Sequence, residues 1–253
     1  MTALAVLLGN GIGYSASPAM HNAAFAALEL DARYELRDVG TDALATEVEA
    51  LRANDRIGAN VTKPHKVAVC SLVDDLGPEV RRLGAANTII RYGDRLVARN
   101  TDLPALRAEL PPGIRRAVVL GAGGASRAAV DALKTAGCGA VLVVDRARWA
   151  NLPGALMTAQ LLINATPIGT ASDETPVPAS LLRAEMAVLD LVYRPSPTRL
   201  VREARAAGAR ARGGAGMLLR QAAFSFSLWT DRDAPTEVMR DALRRELGEG
   251  ADV

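Results

Sequence analysis

The sequence predicts an α/β protein of two domains, an N-terminal α/β domain followed by a Rossmann-like domain. Three observations predict this fold: two successive alternations of β-rich and amphipathic segments, a glycine-rich loop between a buried strand and a helix, and a length of 253 residues. That length exceeds the roughly 100–200 residues typical of one domain.

The first hundred residues carry a βαβαβ pattern and then a hairpin. The alternating strand and helix segments are Leu4–Leu8, Pro18–Leu30, Tyr34–Val39, Ala43–Arg52 and Ile57–Thr62. Two further strands, Asn87–Arg91 and Leu96–Arg99, flank the turn Tyr92-Gly93-Asp94-Arg95. We expect a domain boundary near Asn100.

A second alternation begins after Pro111-Pro112-Gly113. Its predicted strands are Ala117–Leu120, Val141–Asp145, Leu161–Asn164 and Val188–Leu191, and its predicted helices are Ser126–Ala136, Met217–Thr230 and Thr236–Leu247. Gly137 is expected to end the helix before it. The Ala- and Arg-rich stretch 199–212 is predicted to be a solvated helix and strand.

Composition argues against several classes of protein. The chain is 49% hydrophobic, and no apolar run approaches the roughly 20 residues that span a bilayer, so we expect a soluble, cytoplasmic protein with no membrane partner. A net charge of +2 with dispersed arginines predicts no nucleic-acid partner. Cys70 and Cys138 are expected to be buried and reduced, and His21 and His65 to be structural or surface residues, so no metal site is predicted.

The segment Gly121-Ala122-Gly123-Gly124-Ala125 has the context of a dinucleotide-binding loop. Glycines let the backbone approach a pyrophosphate closely, and the helix that follows offers N–H donors at its positive end. Asp145 ends the next strand 24 residues after Gly121, near where an acidic residue binds the ribose hydroxyls. A plain tight turn and a plain strand-end aspartate are the structural alternatives.

Two polar motifs of the first half stand beside predicted strand and helix ends. Ser17 is expected to be the N-cap of the first helix, which leaves Ser15 free; capping alone and binding of a carboxylate by both hydroxyls are the two interpretations. Asn60–Thr62 ends a strand, where open α/β sheets collect ligands. Lys66 is expected in the first helical turn after Pro64, a position suited to proton transfer.

Two more polar motifs bracket the predicted hairpin. Asn87-Thr88 precedes it and Asn100-Thr101-Asp102 follows it. Turn chemistry could explain each motif separately. Together with Lys66 they contain what reduction of a ring ketone requires, namely donors that orient hydroxyls and a Lys/Asp pair that exchanges a proton.

These motifs, in this order, resemble those of the shikimate dehydrogenase family over nearly the whole chain. The blocks are Ser15-Ala16-Ser17-Pro18 with Met20-His21-Asn22, Asn60-Val61-Thr62 with Lys66, Gly84-Ala85-Ala86-Asn87-Thr88, Asn100-Thr101-Asp102, Gly121–Ala125, Asp190-Leu191-Val192-Tyr193, and Gly216-Met217-Leu218-Leu219-Arg220-Gln221.

The resemblance implies reversible, metal-free reduction of 3-dehydroshikimate to shikimate with NADPH, a step of chorismate and aromatic amino-acid biosynthesis. Lys66 and Asp102 would be the catalytic pair. The implied substrate-binding residues are Ser15, Ser17, Thr62, Asn87, Tyr193 and Gln221. The implied cofactor-binding residues are Gly121, Ala122, Gly123, Gly124, Ala125, Asp145, Arg146, Arg148, Leu191, Gly214 and Met217, although Met217 could equally be a core residue.

The expected domains are 1–101 with 217–253 for the substrate, and 102–216 for the cofactor, with the last helices returning to the first domain. Only 19 residues separate Asp145 from Asn164, about half the usual family length, so one βα unit is expected to be missing. We expect a monomer or homodimer.

The sequence departs from the family where it reads Asp145-Arg146-Ala147-Arg148. Asp145 would repel a 2′-phosphate, whereas Arg146 and Arg148 could clamp it, so we expect NADP with NAD as the alternative.

Two other functions remain open. One is a quinate/shikimate or aminoshikimate dehydrogenase that uses NAD. The other is a non-catalytic sensor of shikimate or quinate, which could retain Ser15, Ser17 and Gln221 but would not need Lys66 and Asp102.

Overall fold

The computed structural model describes residues 2–248 and 250–253, which divide into two compact units. The first unit contains the chain up to Asp102 together with Leu219–Glu246, and the second contains Leu103–Leu218 together with Leu247–Val253. Each unit has its own sheet and its own apolar core. The predicted α/β class, with the C-terminal helices returning to the first unit, is confirmed.

The strands are β1 (Ala3–Gly9), β2 (Ala32–Asp38), β3 (Arg56–Val61), β4 (Asp75–Leu76), β5 (Thr88–Tyr92), β6 (Arg95–Arg99), β7 (Arg116–Leu120), β8 (Ala140–Val144), β9 (Leu161–Asn164), β10 (Ala187–Asp190) and β11 (Arg210–Arg212). The α-helices are α1 (Ser17–Ala27), α2 (Leu44–Glu49), α3 (Pro78–Leu83), α4 (Asp102–Glu109), α5 (Gly124–Thr135), α6 (Leu152–Leu156), α7 (Arg199–Ala206), α8 (Ala215–Thr230) and α9 (Thr236–Leu247).

The sheet of the first unit has the strand order β2-β1-β3-β5-β6-β4. Strand β1 is parallel to β2 and β3, whereas β5 is antiparallel to β3 and β6. The predicted hairpin is therefore present, and its two strands lie in the middle of the sheet. Strand β1 is buried along almost its whole length, as expected for a central strand covered on both faces.

The sheet of the second unit is entirely parallel, in the order β11-β10-β9-β7-β8. The chain runs from β7 to β8 on one side and then to β9 on the other, which makes the β7/β9 boundary a topological switch point. Between β8 and β9 the structure has a 3-10 helix, Arg146–Asn151, and the short α6, with no strand among these described residues. This arrangement agrees with the expected loss of one βα unit.

Two local expectations about helix starts are wrong. Helix α1 begins at Ser17 itself and has Ala16 as its N-cap, since Ala16 already has helical backbone angles, and the Ser17 N–H donates to Ser15 Oγ at 3.3 Å. Lys66 does not lie in an α-helix: turns lead into a 3-10 helix over Ala68–Ser71. The backbone hydrogen bonds there close separate turns, with the His65 N–H donating to Thr62 O at 2.9 Å and the Cys70 N–H to Val67 O at 3.2 Å.

Two further expectations concern membranes and thiols. Among the described helices, none is long and apolar enough to cross a bilayer. Cys70 and Cys138 are half-buried, whereas complete burial was expected.

Candidate active site

Four polar segments of the first unit meet at one edge of its sheet. Strands β1 and β3 are parallel, with Leu8 opposite Val61, so both end at this edge. Because β5 is antiparallel to β3 and β6, it starts where they end, and Thr88 lies opposite both Asn60 and Arg99. The loops after β1, β3 and β6 and the residue before β5 therefore lie side by side.

Lys66 and Asp102 form an ion pair at this edge. Lys66 Nζ donates to Asp102 Oδ2 at 2.6 Å, and the two side chains are 18% and 6% exposed. An ammonium and a carboxylate in direct contact, partly shielded from water, can hold and exchange one proton. The pair thus has the geometry that acid/base chemistry requires.

The side chains of Asn87 and Gln221 continue the hydrogen-bond network from the Lys66–Asp102 ion pair. Asn87 Nδ2 donates to Asp102 Oδ1 at 2.9 Å and to Gln221 Oε1 at 3.4 Å. Asn87 is 2% exposed and Gln221 is 9% exposed. The first unit thus brings together both predicted catalytic residues and two of the predicted substrate-binding residues.

Ser15, Ser17 and Thr62 lie in the loops after β1 and β3. Ser15 Oγ donates to Ser17 Oγ at 3.2 Å, so the two hydroxyls are neighbours. The Thr62 N–H donates to the Leu8 carbonyl at 2.9 Å. A Cβ on Gly9 would overlap the Thr62 side chain, and glycine therefore allows the two loops to approach.

The two histidines have structural positions. His65 Nε2 lies 2.7 Å from the Val39 carbonyl oxygen. His21 is fully buried, with its ring stacked on Tyr34 at 4.4 Å, and neither ring nitrogen has a hydrogen-bond partner among the described residues. Burial lowers the pKa of His21 to about 3. The described residues contain no group of three or more His, Cys, Asp or Glu side chains that could hold a metal ion.

The glycine loop of the second unit follows β7 at the switch point. Gly121 has a φ of +101°, and a Cβ there would approach the Ala165 carbonyl oxygen to 3.0 Å, so the position requires glycine. A Cβ on Gly123, the N-cap of α5, would meet nothing within 4 Å, so the backbone is open to a ligand. The first N–H groups of α5 have no carbonyl partner inside the helix. This loop fits the diphosphate of a dinucleotide, with Ala122 exposed and Gly124 and Ala125 opening the helix.

Asp145 caps the 3-10 helix that follows β8. Its Oδ1 accepts the Arg148 N–H at 3.1 Å. Arg146 and Arg148 are exposed, and Asp145 is half-buried. Asp145 therefore has a local structural role, and both guanidinium groups remain accessible to an anion.

Of the remaining predicted cofactor residues, Leu191 and Gly214 lie in the loops after β10 and β11, and Met217 lies in the first turn of α8. A Cβ on Gly214 would overlap the Leu191 carbonyl oxygen, and the Gly214 N–H donates to Val192 O at 3.1 Å. Leu191 and Gly214 are thus in contact. Met217 is buried, and Tyr193 is half-buried in the same unit.

A buried carboxylate organises the loop after β10. Asp190 accepts from Asn164 Nδ2 at 2.8 Å, from the Val192 N–H at 3.1 Å and from Thr198 Oγ1 at 2.7 Å. Burial raises the pKa of Asp190 to about 6. Its acceptor bonds hold the backbone that carries Leu191.

Ser225 and Tyr34 are polar residues near Asn87 that the sequence motifs did not single out. Ser225 Oγ accepts from Asn60 Nδ2 at 2.8 Å, and Tyr34 Oη donates to Asn60 Oδ1 at 2.9 Å. One signal was available: Ser225 follows Gln221 by four residues, which places both on the same face of a helix.

Known proteins are similar to this chain over most of its length. The family model described as the shikimate dehydrogenase substrate binding domain matches residues 7–89, and the one described as the shikimate 5'-dehydrogenase C-terminal domain matches residues 214–244. The chain is 40% identical to shikimate dehydrogenase (NADP(+)) of Moorella thermoacetica, over 98% of this chain and 94% of that protein.

Solved structures are similar over the same extent. Shikimate 5-dehydrogenase from Thermus thermophilus, in complex with NADP(H) and shikimate, has 38% identity and a TM-score of 0.87, covering 97% of this chain and 100% of the other. Quinate dehydrogenase from Corynebacterium glutamicum, in complex with NAD, has 28% identity and a TM-score of 0.83, covering 96% and 99%.

Proposed function

The chain belongs to the shikimate dehydrogenase family, and we propose that it catalyses the reversible NADP-dependent reduction of 3-dehydroshikimate to shikimate in aromatic amino-acid biosynthesis. The observation that carries this function is the Lys66–Asp102 ion pair at 2.6 Å, bound to Asn87 at a sheet edge. The protein is therefore an oxidoreductase.

Lys66 and Asp102 act on the ring oxygen of the substrate. In the direction of reduction, the Lys66 ammonium donates a proton to the ketone oxygen, which becomes the hydroxyl. In the reverse direction the pair takes that proton back, and Asp102 stabilises the ammonium that results. Bound NADPH supplies the hydride, so one proton and one hydride are consumed for each ketone reduced.

Hydroxyl and amide groups orient the ring. Ser15 and Ser17 bind the substrate carboxylate, since two adjacent hydroxyls can each donate to one anion. Asn87 and Gln221 bind ring hydroxyls from the side of Asp102. Thr62 and Tyr193 complete the substrate-binding set.

The cofactor is held by the second unit. Residues 121–125 bind the diphosphate through backbone N–H groups at the start of α5. Arg146 and Arg148 bind the 2′-phosphate, opposed by the Asp145 carboxylate. Leu191, Gly214 and Met217 contact the nicotinamide end. The functional division is then 1–101 with 217–253 for substrate and 102–216 for NADP.

Partners and compartment follow from this chemistry. The ligands are small molecules, and the protein works without a nucleic-acid partner as a monomer or homodimer. Its two cysteine thiols suit a reducing cytoplasm.

The experiment is a steady-state assay of reduced-nicotinamide absorbance with shikimate or quinate, and with NADP or NAD. Lys66→Ala and Asp102→Ala should each lower kcat by at least about 100-fold, the scale of lost acid/base catalysis. Lys134→Ala, an exposed lysine in α5, is the matched control and should retain kcat.

Three outcomes would contradict the proposal. A folded Lys66→Ala or Asp102→Ala protein that kept more than about a tenth of the turnover would remove that residue from the chemistry. Faster turnover of quinate with NAD would favour the quinate enzyme. Binding of shikimate with no turnover by the wild-type protein would indicate a sensor.

A further inference from the structure

A buried group of polar side chains lies behind the Lys66–Asp102 pair. We call it the polar cluster, and its members are the carboxamide of Asn60 and the hydroxyls of Thr88, Thr101 and Ser225. Each is buried, with exposures of 4%, 0%, 3% and 0% respectively. Since water does not reach them, their hydrogen bonds must be satisfied inside the protein.

The cluster determines which way the Asn87 carboxamide faces. Asn87 Oδ1 accepts the Thr101 N–H at 2.7 Å and the Thr88 hydroxyl at 3.1 Å. A flipped amide would set its NH₂ group against the Thr101 N–H and its oxygen against Asp102 Oδ1. Both contacts would be repulsive, so Asn87 Nδ2 faces Asp102, as its 2.9 Å hydrogen bond requires.

Ser225 connects helix α8 to this arrangement. Its hydroxyl accepts from Asn60 Nδ2 at 2.8 Å, lies 3.0 Å from Thr88 Oγ1 and donates to the Gln221 carbonyl at 3.0 Å. The helix that carries Gln221 is thereby tied to the two strands that carry Asn60 and Thr88. The Gln221 side chain contacts Asn87 from the opposite end of the same network.

The hydrogen bonds run in one consistent direction towards the ion pair. Tyr34 Oη donates to Asn60, Asn60 donates into the cluster, and Thr88 donates to Asn87 Oδ1. Asn87 Nδ2 then donates to Asp102, whose other oxygen accepts from Lys66. Removal of the Thr88 hydroxyl takes one donor from Asn87 Oδ1, and removal of the Ser225 hydroxyl takes one acceptor from Asn60 Nδ2, so either change loosens the network that fixes the Asn87 amide.

We propose that Thr88 and Ser225 are positioning residues of the reaction: their hydroxyls hold the Asn87 amide so that it keeps the Asp102 carboxylate aligned with Lys66. Neither hydroxyl touches substrate in this proposal. The inference rests on the reduction proposed above, because only turnover requires that alignment.

The test compares variants that differ in one hydroxyl. Thr88→Val removes the hydroxyl at nearly constant shape, and Thr88→Ser restores it. Ser225→Ala removes the second hydroxyl. Thr230→Val is the matched control, because the Thr230 hydroxyl also donates to a carbonyl four residues earlier on α8, that of Phe226 at 2.9 Å, but lies outside the cluster.

A positioning role predicts that the loss in kcat exceeds the loss in substrate affinity. Thr88→Val and Ser225→Ala should lower kcat by about tenfold or more, while the shikimate KM and calorimetric Kd rise by a smaller factor, because Asn87 also binds a ring hydroxyl. Thr88→Ser should recover kcat to within about threefold of wild type, and Thr230→Val should match wild type.

The opposite results overturn the inference. Wild-type kcat in Ser225→Ala and Thr88→Val, or a loss confined to KM and Kd, would show that the cluster does not align the pair. If Thr88→Val fails to fold, Ser225→Ala and Tyr34→Phe decide the question by the same criteria. A wild-type protein with no turnover would remove the proposed function and this inference with it, a result distinct from active but unchanged variants.

Discussion

Lowering the pH from 7 to 5 should destabilise the first unit because His21 takes up a proton only when that unit unfolds. The imidazole is fully buried against Tyr34 and Trp229, and burial lowers its pKa from 6.5 to about 3. Between these values the unfolded chain binds more protons than the folded one. The stability contributed by neutral His21 is therefore complete above pH 6.5 and falls as the pH drops towards 3.

The size of the effect follows from the two pKa values. At pH 5 the unfolded histidine is almost fully protonated and the folded one almost fully neutral. This difference in proton binding between the unfolded and the folded state, summed from pH 7 to pH 5, lowers the free energy of unfolding by about 2 kcal/mol. His21→Phe keeps a ring on Tyr34 and removes the titration.

Urea unfolding, followed by tryptophan fluorescence, measures this effect. The chain has two tryptophans. A Trp149→Phe background leaves Trp229, whose ring lies 5.2 Å from the His21 ring, as the reporter of the first unit. His21→Phe in this background should lose about 2 kcal/mol less between pH 7 and pH 5 than the His21 protein.

His21 does not cause the pH dependence if both proteins lose the same stability within about 0.5 kcal/mol. Carboxylates that titrate in this range are common to both proteins, so they cancel in the comparison. An equal loss would mean that His21 is protonated in the folded protein or that its surroundings reach water.

Three further predictions concern the second unit. The raised pKa of Asp190 lets the folded protein bind a proton before the unfolded chain does, which should add about 1 kcal/mol to the free energy of unfolding of the second unit from pH 7 to pH 5. Asp190→Asn, monitored by Trp149 in a Trp229→Phe background, should abolish this gain, and an unchanged gain contradicts the prediction. Asp145→Asn should raise the ratio of kcat/KM with NADP to kcat/KM with NAD several-fold, and Arg146→Ala should lower this ratio, by about 1 kcal/mol each. If Asp145→Asn leaves the ratio unchanged within about twofold, Asp145 lies away from the ribose. Gly214→Ala should lower the melting temperature by several degrees, since its Cβ overlaps the Leu191 carbonyl oxygen, and an unshifted transition would show that the loop yields freely.

Local patterns in the sequence were sufficient for most of the secondary structure. The strand over Leu161–Asn164 and the helix over Thr236–Leu247 have the predicted bounds, and the hairpin turn lies where Gly93 and Asp94 place it. Apolar periodicity and turn residues act over a few neighbours, so they can be read without knowledge of the fold. Local patterns were not sufficient at Ser17, where the N-cap is Ala16, and at Lys66, where separate turns replace the expected helical turn.

The residue types of the site were likewise visible in the sequence, whereas their meeting was decided by tertiary structure. Lys66 and Asp102 are 36 residues apart, and their contact exists because the antiparallel β5–β6 hairpin returns the chain to the edge where β3 ends. The partnership of Ser225 with Asn60 spans 165 residues and requires helix α8 to pack on the first sheet. Strand register and helix packing minimise free energy over the whole unit, so no local pattern encodes which distant hydroxyl will face which amide.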